Sequence, residues 1–142
     1  VAVDIAPSLL DVARRRLPED LAGRVRFVAG DMLDAAHGRF DAVAAMDSLI
    51  HYRAGDIAAA LARLAERCAG PIVFTVAPST PALQAMHLIG KAFPRSDRSP
   101  AIAPVSEARL AAALAPLTPR RLAAVERVRS GFYISQALEL VP

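Results

Sequence analysis

The sequence predicts an α/β fold: an open, mostly parallel sheet, doubly wound by helices, with an antiparallel hairpin at its C-terminal end. Three observations carry that expectation. Short β-rich apolar runs alternate with stretches of helical spacing, the pattern of a sheet built from crossover units. Several runs end in polar residues, at Asp4, at Gly30-Asp31 and at Asp47-Ser48, as strands do when a ligand crevice lies beyond their carboxyl ends. The last two runs, Arg121 to Val128 and Phe132 to Leu140, are separated only by Arg129-Ser130-Gly131, which is a hairpin signal.

The elements follow in order. Val1 to Asp4 reads as the end of a buried strand closing on an acid. Ala6-Pro7-Ser8 opens a helix, with Leu9, Leu10, Ala13 and Leu17 at helical spacing and Pro18 ending it. Val25 to Ala29 is the second strand and Gly30-Asp31 turns it off. Phe40 to Met46 is the third, read as fully buried over Phe40 to Ala44. Asp56 is placed to cap a helix running to about Cys68, with Ile57, Leu61, Leu64 and Ala65 on one face and Gly70-Pro71 stopping it. Ile72 to Val76 is a fourth strand, apolar on both faces. Pro81 opens a helix from Ala82 to about Ala92. Residues 93–104, FPRSDRSPAIAP, have no periodicity and read as a long loop, a kind that is usually functional or mobile in a compact domain. Ser106 starts a helix to Ala115.

Composition narrows the function classes. With 142 residues the chain has room for one domain, and a 54% hydrophobic content is ample for a core. No uninterrupted apolar run is long enough to span a bilayer, no signal peptide is visible, and the one cysteine, Cys68, cannot form an internal disulfide. The expectation is therefore a cytoplasmic protein. Residues 1–90 hold nine Arg against ten acids, whereas residues 91–142 hold one Lys and seven Arg against four acids. That basic half suits an anionic ligand or a membrane surface, or it is a solvated face. No basic stripe interleaved with aromatics is present, so nucleic acid is not expected.

Four groups of residues carry chemistry. Asp4, at a strand end, suits ribose hydroxyls, because a carboxylate accepts from two at once; an ordinary turn Asp is the competing interpretation. Asp31 can accept from an exocyclic amine while Met32 covers a ring, although Gly-Asp turns are common. His51, in Asp47-Ser48-Leu49-Ile50-His51-Tyr52, follows a strand that aims it at the crevice, whereas His37 and His87 read as structural. Lys91, Arg95 and Arg98 could clamp a carboxylate with paired hydrogen bonds, or simply be solvated. Three scattered His and one Cys give no metal-ligand spacing. Ser48 lies in no nucleophile elbow.

The stretches VAVDIAPSLLDVARRR, VAGDML and FDAVAAMDSLIHY resemble the motifs that follow the glycine-rich loop of class I S-adenosylmethionine-dependent methyltransferases, a Rossmann-like fold. Leu49-Ile50-His51-Tyr52 and GKAFPRSDRSPAI at 90–102 resemble, more narrowly, the magnesium protoporphyrin IX O-methyltransferases of bacteriochlorophyll biosynthesis. The resemblance implies that S-adenosylmethionine is the cofactor and that a propionate of Mg-protoporphyrin IX becomes its monomethyl ester. Asp4 and Ile5 would hold the donor's ribose end, Asp31 and Met32 its adenine, and Met46 and Asp47 would line its pocket. His51 would face the propionate, with Tyr52, Lys91, Arg95 and Arg98 as substrate contacts and the helix and loop at 81–104 covering the porphyrin. A magnesium chelatase subunit and the intracytoplasmic membrane surface would be its contacts.

The family's first strand, glycine-rich loop and N-terminal covering segment have no counterpart in these residues. The expectation is thus the C-terminal portion of a single methyltransferase domain over 1–142, inactive alone, with the strands ending at Asp4 and Met46 left with unpaired edges. Three alternatives stand beside it. They are a class I methyltransferase for another small molecule, a methyltransferase-like binding protein without catalysis, and a nicotinamide-binding Rossmann protein, against which the closing hairpin argues.

Overall fold

The computed structural model describes residues 1–79, 102–130 and 133–142, and the chain divides into two compact units, residues 1–38 and 39–142. The helix expected at 82–92 and all but the last three residues of the 93–104 loop lie outside the described residues.

In the first unit, β1 (Ala2–Asp4) pairs in parallel with β2 (Phe27–Ala29), in the register Ala2 to Phe27 and Asp4 to Ala29. Between them runs α1 (Pro7–Arg16), with Pro7 in its first turn and Arg14, Arg15 and Arg16 in its last, where cations complement the helix dipole. Of its apolar positions only Leu10 is buried, and Leu9 is exposed. Val25 and Arg26 stay outside β2, which is two residues shorter than expected. The ladder is prolonged beyond β2 at both ends, by Ala2 N–H to Arg26 O at 2.8 Å and Gly30 N–H to Asp4 O at 3.0 Å.

The second unit is a four-stranded sheet in the order β3-β4-β6-β5. β3 (Val43–Ala45) and β4 (Ile72–Val76) are parallel, and β6 (Tyr133–Val141) is antiparallel to both β4 and β5 (Arg121–Ser130). The hairpin therefore brings one reversed strand, as the sequence implies. Phe74 and Ile72 face Leu138 and Leu140 across the β4–β6 ladder, and all four are fully buried. Ile57, Leu61 and Leu64 of α2 (Ala54–Ala65) and Leu110 and Leu114 of α3 (Glu107–Leu114) complete this core, with α2 packed on both β4 and α3. Ser106 caps α3 by accepting from Arg109 N–H at 3.3 Å.

Two further details depart from the expectations. Residues 40–46 do not form one buried strand. Phe40 makes an isolated bridge to Cys68, β3 proper has three residues, and Asp41, Ala42 and Ala44 are exposed. The cause is pairing: among the described residues β3 has only β4 beside it, and β1 has only β2. Asp56 does not cap α2. Arg53 holds the cap position without a side-chain bond, and Asp56 lies in the first turn, where a negative charge is favourable.

The C-terminus of α2 is finished from far along the chain. The Arg120 guanidinium donates to the carbonyls of Gly70 at 2.6 Å, Ala65 at 3.5 Å and Cys68. These carbonyls lie where the helical ladder runs out, and among the described residues Gly70 O accepts locally only from Cys68 Sγ, at 3.4 Å. Gly70 is required for a different reason: a Cβ there would stand 2.3 Å from the Asp41 carbonyl oxygen.

Candidate active site

In the first unit the register puts two acids at the same end of two neighbouring parallel strands. Asp4 ends β1, and its Oδ1 accepts from Ala6 N–H at 2.7 Å, which fixes the turn into α1. Among the described residues its carboxylate takes no other hydrogen bond. Ile5 beside it is 85% exposed. Asp31 follows Gly30, whose φ of +152° is costly for other residues. Its Oδ1 accepts from Leu33 N–H at 2.8 Å and its carbonyl meets His37 Nε2 at 2.8 Å. His37 is thus structural, as the sequence suggests, but its service is to the Asp31 turn. Met32 is half-buried next to it.

In the second unit the chain leaves β3 through Met46, 61% exposed, and Asp47, the one non-glycine with positive φ (+52°) among the described residues. Asp tolerates this left-handed conformation better than most residues, yet it still needs support. Thr75 of β4 supplies it. Its Oγ1 accepts from Asp47 N–H at 2.7 Å and donates to Asp47 Oδ1 at 3.0 Å, and the residue is 4% exposed. The Ser48 hydroxyl donates to Met46 O at 3.1 Å. Leu49 is fully buried and pins the segment to the core, and Tyr52 N–H closes a turn onto Leu49 O at 3.1 Å. His51 and Tyr52 lie outward of that anchor, both exposed. Ala103 N–H donates to Ile50 O at 2.9 Å, and Val105 N–H to Ala77 O at 2.9 Å, so the chain entering α3 is bonded both to this segment and to the end of β4.

Met46, Asp47, His51 and Tyr52 therefore stand together after β3, while Asp4, Ile5, Asp31 and Met32 stand together after β1 and β2. Lys91, Arg95 and Arg98 lie outside the described residues. Sequence reading missed Thr75, which is 28 residues from the Asp47 that it holds. It also missed a cleft of about 380 Å³ in the second unit, lined by Arg53, Ala54, Gly55, Ser79, Ala103, Pro104, Val105, Ser106 and Arg109. No group of metal-ligating side chains is found among the described residues, and none of their helices is long and apolar enough to cross a membrane.

Residues 45–142 match the family model described as "Magnesium-protoporphyrin IX methyltransferase C-terminus", and residues 1–69 match a general methyltransferase domain. A magnesium-protoporphyrin O-methyltransferase of Rhodobacter capsulatus is 50% identical over all 142 residues, which span 62% of that relative's length. Two crystal structures of the magnesium protoporphyrin IX methyltransferase of Synechocystis PCC 6803 resemble the chain. The one with bound SAH has a TM-score of 0.76 at 24% identity, over 98% of this chain and 62% of that one. The one with bound SAM has a TM-score of 0.71 at 22% identity, over 98% and 57%. At such identities the likeness shows the fold, that of a methyltransferase.

Proposed function

Because the chain belongs to the magnesium-protoporphyrin IX methyltransferase family, we propose that its protein transfers a methyl group from S-adenosylmethionine to one propionate carboxylate of Mg-protoporphyrin IX, giving the monomethyl ester. The observation that carries this reading is the family match over 45–142, supported by 50% identity with the Rhodobacter capsulatus enzyme.

The residues present fit such a donor. Asp4 keeps one carboxylate oxygen open for a ribose hydroxyl, and the exposed Asp31 carboxylate with Met32 offers an acceptor and an apolar face for adenine. From the family resemblance we also assign Met46 and Asp47 to the donor, with Asp47 held by Thr75. When bound, the donor supplies an electrophilic sulfonium methyl. The accepting propionate, with a pKa near about 4.3 like Glu, is already ionised at neutral pH. One carboxylate oxygen forms the C–O bond as the C–S bond breaks. No proton moves, and the donor's positive charge and the acceptor's negative charge disappear together.

The protein then needs alignment more than a base. His51 is the side chain we assign to orienting the reacting carboxylate, with Tyr52 beside it against the macrocycle. Residues 81–104, with Lys91, Arg95 and Arg98, are our candidates for covering the porphyrin. The basic C-terminal half is compatible with a peripheral contact to an anionic membrane and with receipt of substrate from a chelatase.

The test is methyl transfer by the natural protein carrying this chain, using labelled donor and Mg-protoporphyrin IX, with ester formation read by mass. Aromatic hydroxyl compounds serve as competing acceptors. A single ester on the porphyrin is expected. Transfer to hydroxyls with none to the porphyrin would replace this reading with that of a methyltransferase for another small molecule.

A further inference from the structure

The cleft beside α2 and α3 has no part in the reading above. Its chemistry is nonetheless specific. Arg53 and Arg109, each ending in a guanidinium group, are among its lining residues, as are Ser79 and Ser106, and the Ser106 hydroxyl accepts from Arg109 N–H. Arg53 sits at the cap of α2 and Arg109 in the first turns of α3, so the amino ends of both helices also face this region with partial positive charge. Neither guanidinium forms an ion pair among the described residues. The acids nearest in sequence are Asp56 in the first turn of α2 and Glu107 in that of α3, and Glu107 is 3.9 Å from Arg127. Two arginines lining a concave site with no acid partner among the described residues make a receptor for an anion, and their forked donors match a carboxylate in two parallel bonds. At about 380 Å³ the cleft lies within the roughly 300–1,000 Å³ range of small-molecule sites.

Its place along the chain ties it to the reaction. Arg53 directly follows His51-Tyr52, and Ala103 on the cleft wall donates its N–H to Ile50 of the same segment. The substrate proposed above carries two propionates, of which one is esterified. We propose that the cleft between Arg53 and Arg109 receives the carboxylate of the propionate that is not methylated. This inference rests on the proposed function and deepens it, because it makes these arginines the determinants of single esterification. Once the first ester has formed, rebinding in the opposite sense would place a neutral ester in the cleft and leave two guanidinium groups without an anion. The second methylation is disfavoured for that reason.

The experiment uses the natural protein with Arg53→Gln, Arg109→Gln and the double substitution. Both side chains are exposed, so folding should be preserved, and a thermal melt checks it. Substrates are Mg-protoporphyrin IX and an analogue with one propionate already replaced by an alkyl group. Binding is followed by porphyrin absorbance and products by mass. For the dipropionate substrate, KM should rise about tenfold or more per arginine, in keeping with the loss of charge-assisted hydrogen bonds. The kcat should stay within about threefold and donor affinity should be unchanged. For the analogue, wild type should already be weak and the substitutions should add little. The double variant should also form a larger share of diester from the dipropionate substrate.

Equal losses on both substrates, or no loss on either, would overturn the cleft's role while leaving methyl transfer intact. If wild type binds the dipropionate through these arginines yet transfers no methyl group, the inference stands and the functional reading fails. If it does not bind the porphyrin at all, both fail.

Discussion

Thr75 and Asp47 offer the sharpest test of how the site after β3 is held. Thr75→Val keeps the shape of the side chain and removes the hydroxyl. Two bonds are lost: Asp47 N–H to Oγ1, at 2.7 Å, and Oγ1 to Asp47 Oδ1, at 3.0 Å. A neutral hydrogen bond contributes about 0.5–1.5 kcal/mol and one to a charged group about 1.5–3 kcal/mol. The upper sum is not expected, because Asp47 is exposed enough for water to replace part of what is lost. Asp47 would also be free to abandon its φ of +52°, recovering about 1 kcal/mol. The net destabilisation of the second unit should be about 1–2.5 kcal/mol by denaturant unfolding.

Asp47→Gly isolates the side-chain part of that effect. Glycine accepts φ +52° without strain and keeps the N–H bond to Thr75, losing only the carboxylate. A double-mutant cycle of the two substitutions should give a coupling energy of about 1–2 kcal/mol. Accelerated amide exchange at residue 47 is expected in the Val variant alone. Additivity within about 0.5 kcal/mol would refute the claim that Thr75 holds the Asp47 carboxylate.

Four further outcomes are expected. Gly70→Ala must displace the Asp41 carbonyl, now 2.3 Å from where the Cβ would go, and should cost about 1–3 kcal/mol; an unchanged unfolding midpoint would contradict the close approach. Arg120→Ala strips donors from the carbonyls of Ala65, Cys68 and Gly70 and should cost about 2–4 kcal/mol, with Arg120→Lys recovering part; a loss below about 0.5 kcal/mol would mean that water serves those carbonyls equally well. Asp4→Asn keeps an acceptor for Ala6 N–H while removing the charge, so calorimetry should show donor affinity falling about tenfold with the melting temperature held; loss of the fold instead would make Asp4 structural. His51→Ala should slow turnover by roughly ten- to a few hundredfold without abolishing it, and His51→Gln should regain part of the rate; a Gln variant as slow as the Ala variant would assign His51 to acid–base chemistry.

The sequence made the strands and their connections legible where the signals are local. Ile72 to Val76 is apolar but for Thr75 because β4 is paired on both sides, and the hairpin is marked by Arg129-Ser130-Gly131 between two β-rich runs, although Arg129 and Ser130 belong to β5. Asp4, Asp31 and Asp47 stand out as candidates because each lies at or just after a strand end, a position readable without knowing any partner. What failed to show depended on distant residues. Nothing near Thr75 indicates that its hydroxyl braces Asp47, and nothing near Arg120 indicates that it finishes a helix more than 50 residues earlier. The cleft was hidden for the same reason: Arg53 and Arg109 look like ordinary surface charges until α2 and α3 bring their amino ends together. Apolar spacing overextends residues 40–46 because it cannot report that, among the described residues, β3 has a neighbour on one side only.

The order β3-β4-β6-β5 carries a consequence for how the chain is made on the ribosome. β4 emerges with one neighbour, β3, already synthesised, but its other neighbour is the second arm of the hairpin. At about 5–20 residues per second, the roughly 60 residues between Val76 and Tyr133 take on the order of 3–12 s to appear. For that interval the edge of Ile-Val-Phe-Thr-Val, an uncharged segment of high β-propensity, stays open to other chains. Crowded translation of this message should therefore favour aggregates seeded by β4. A stall or truncation anywhere between β4 and β6 would be more damaging than the count of lost residues suggests, since it withholds the strand on which both β4 and β5 depend.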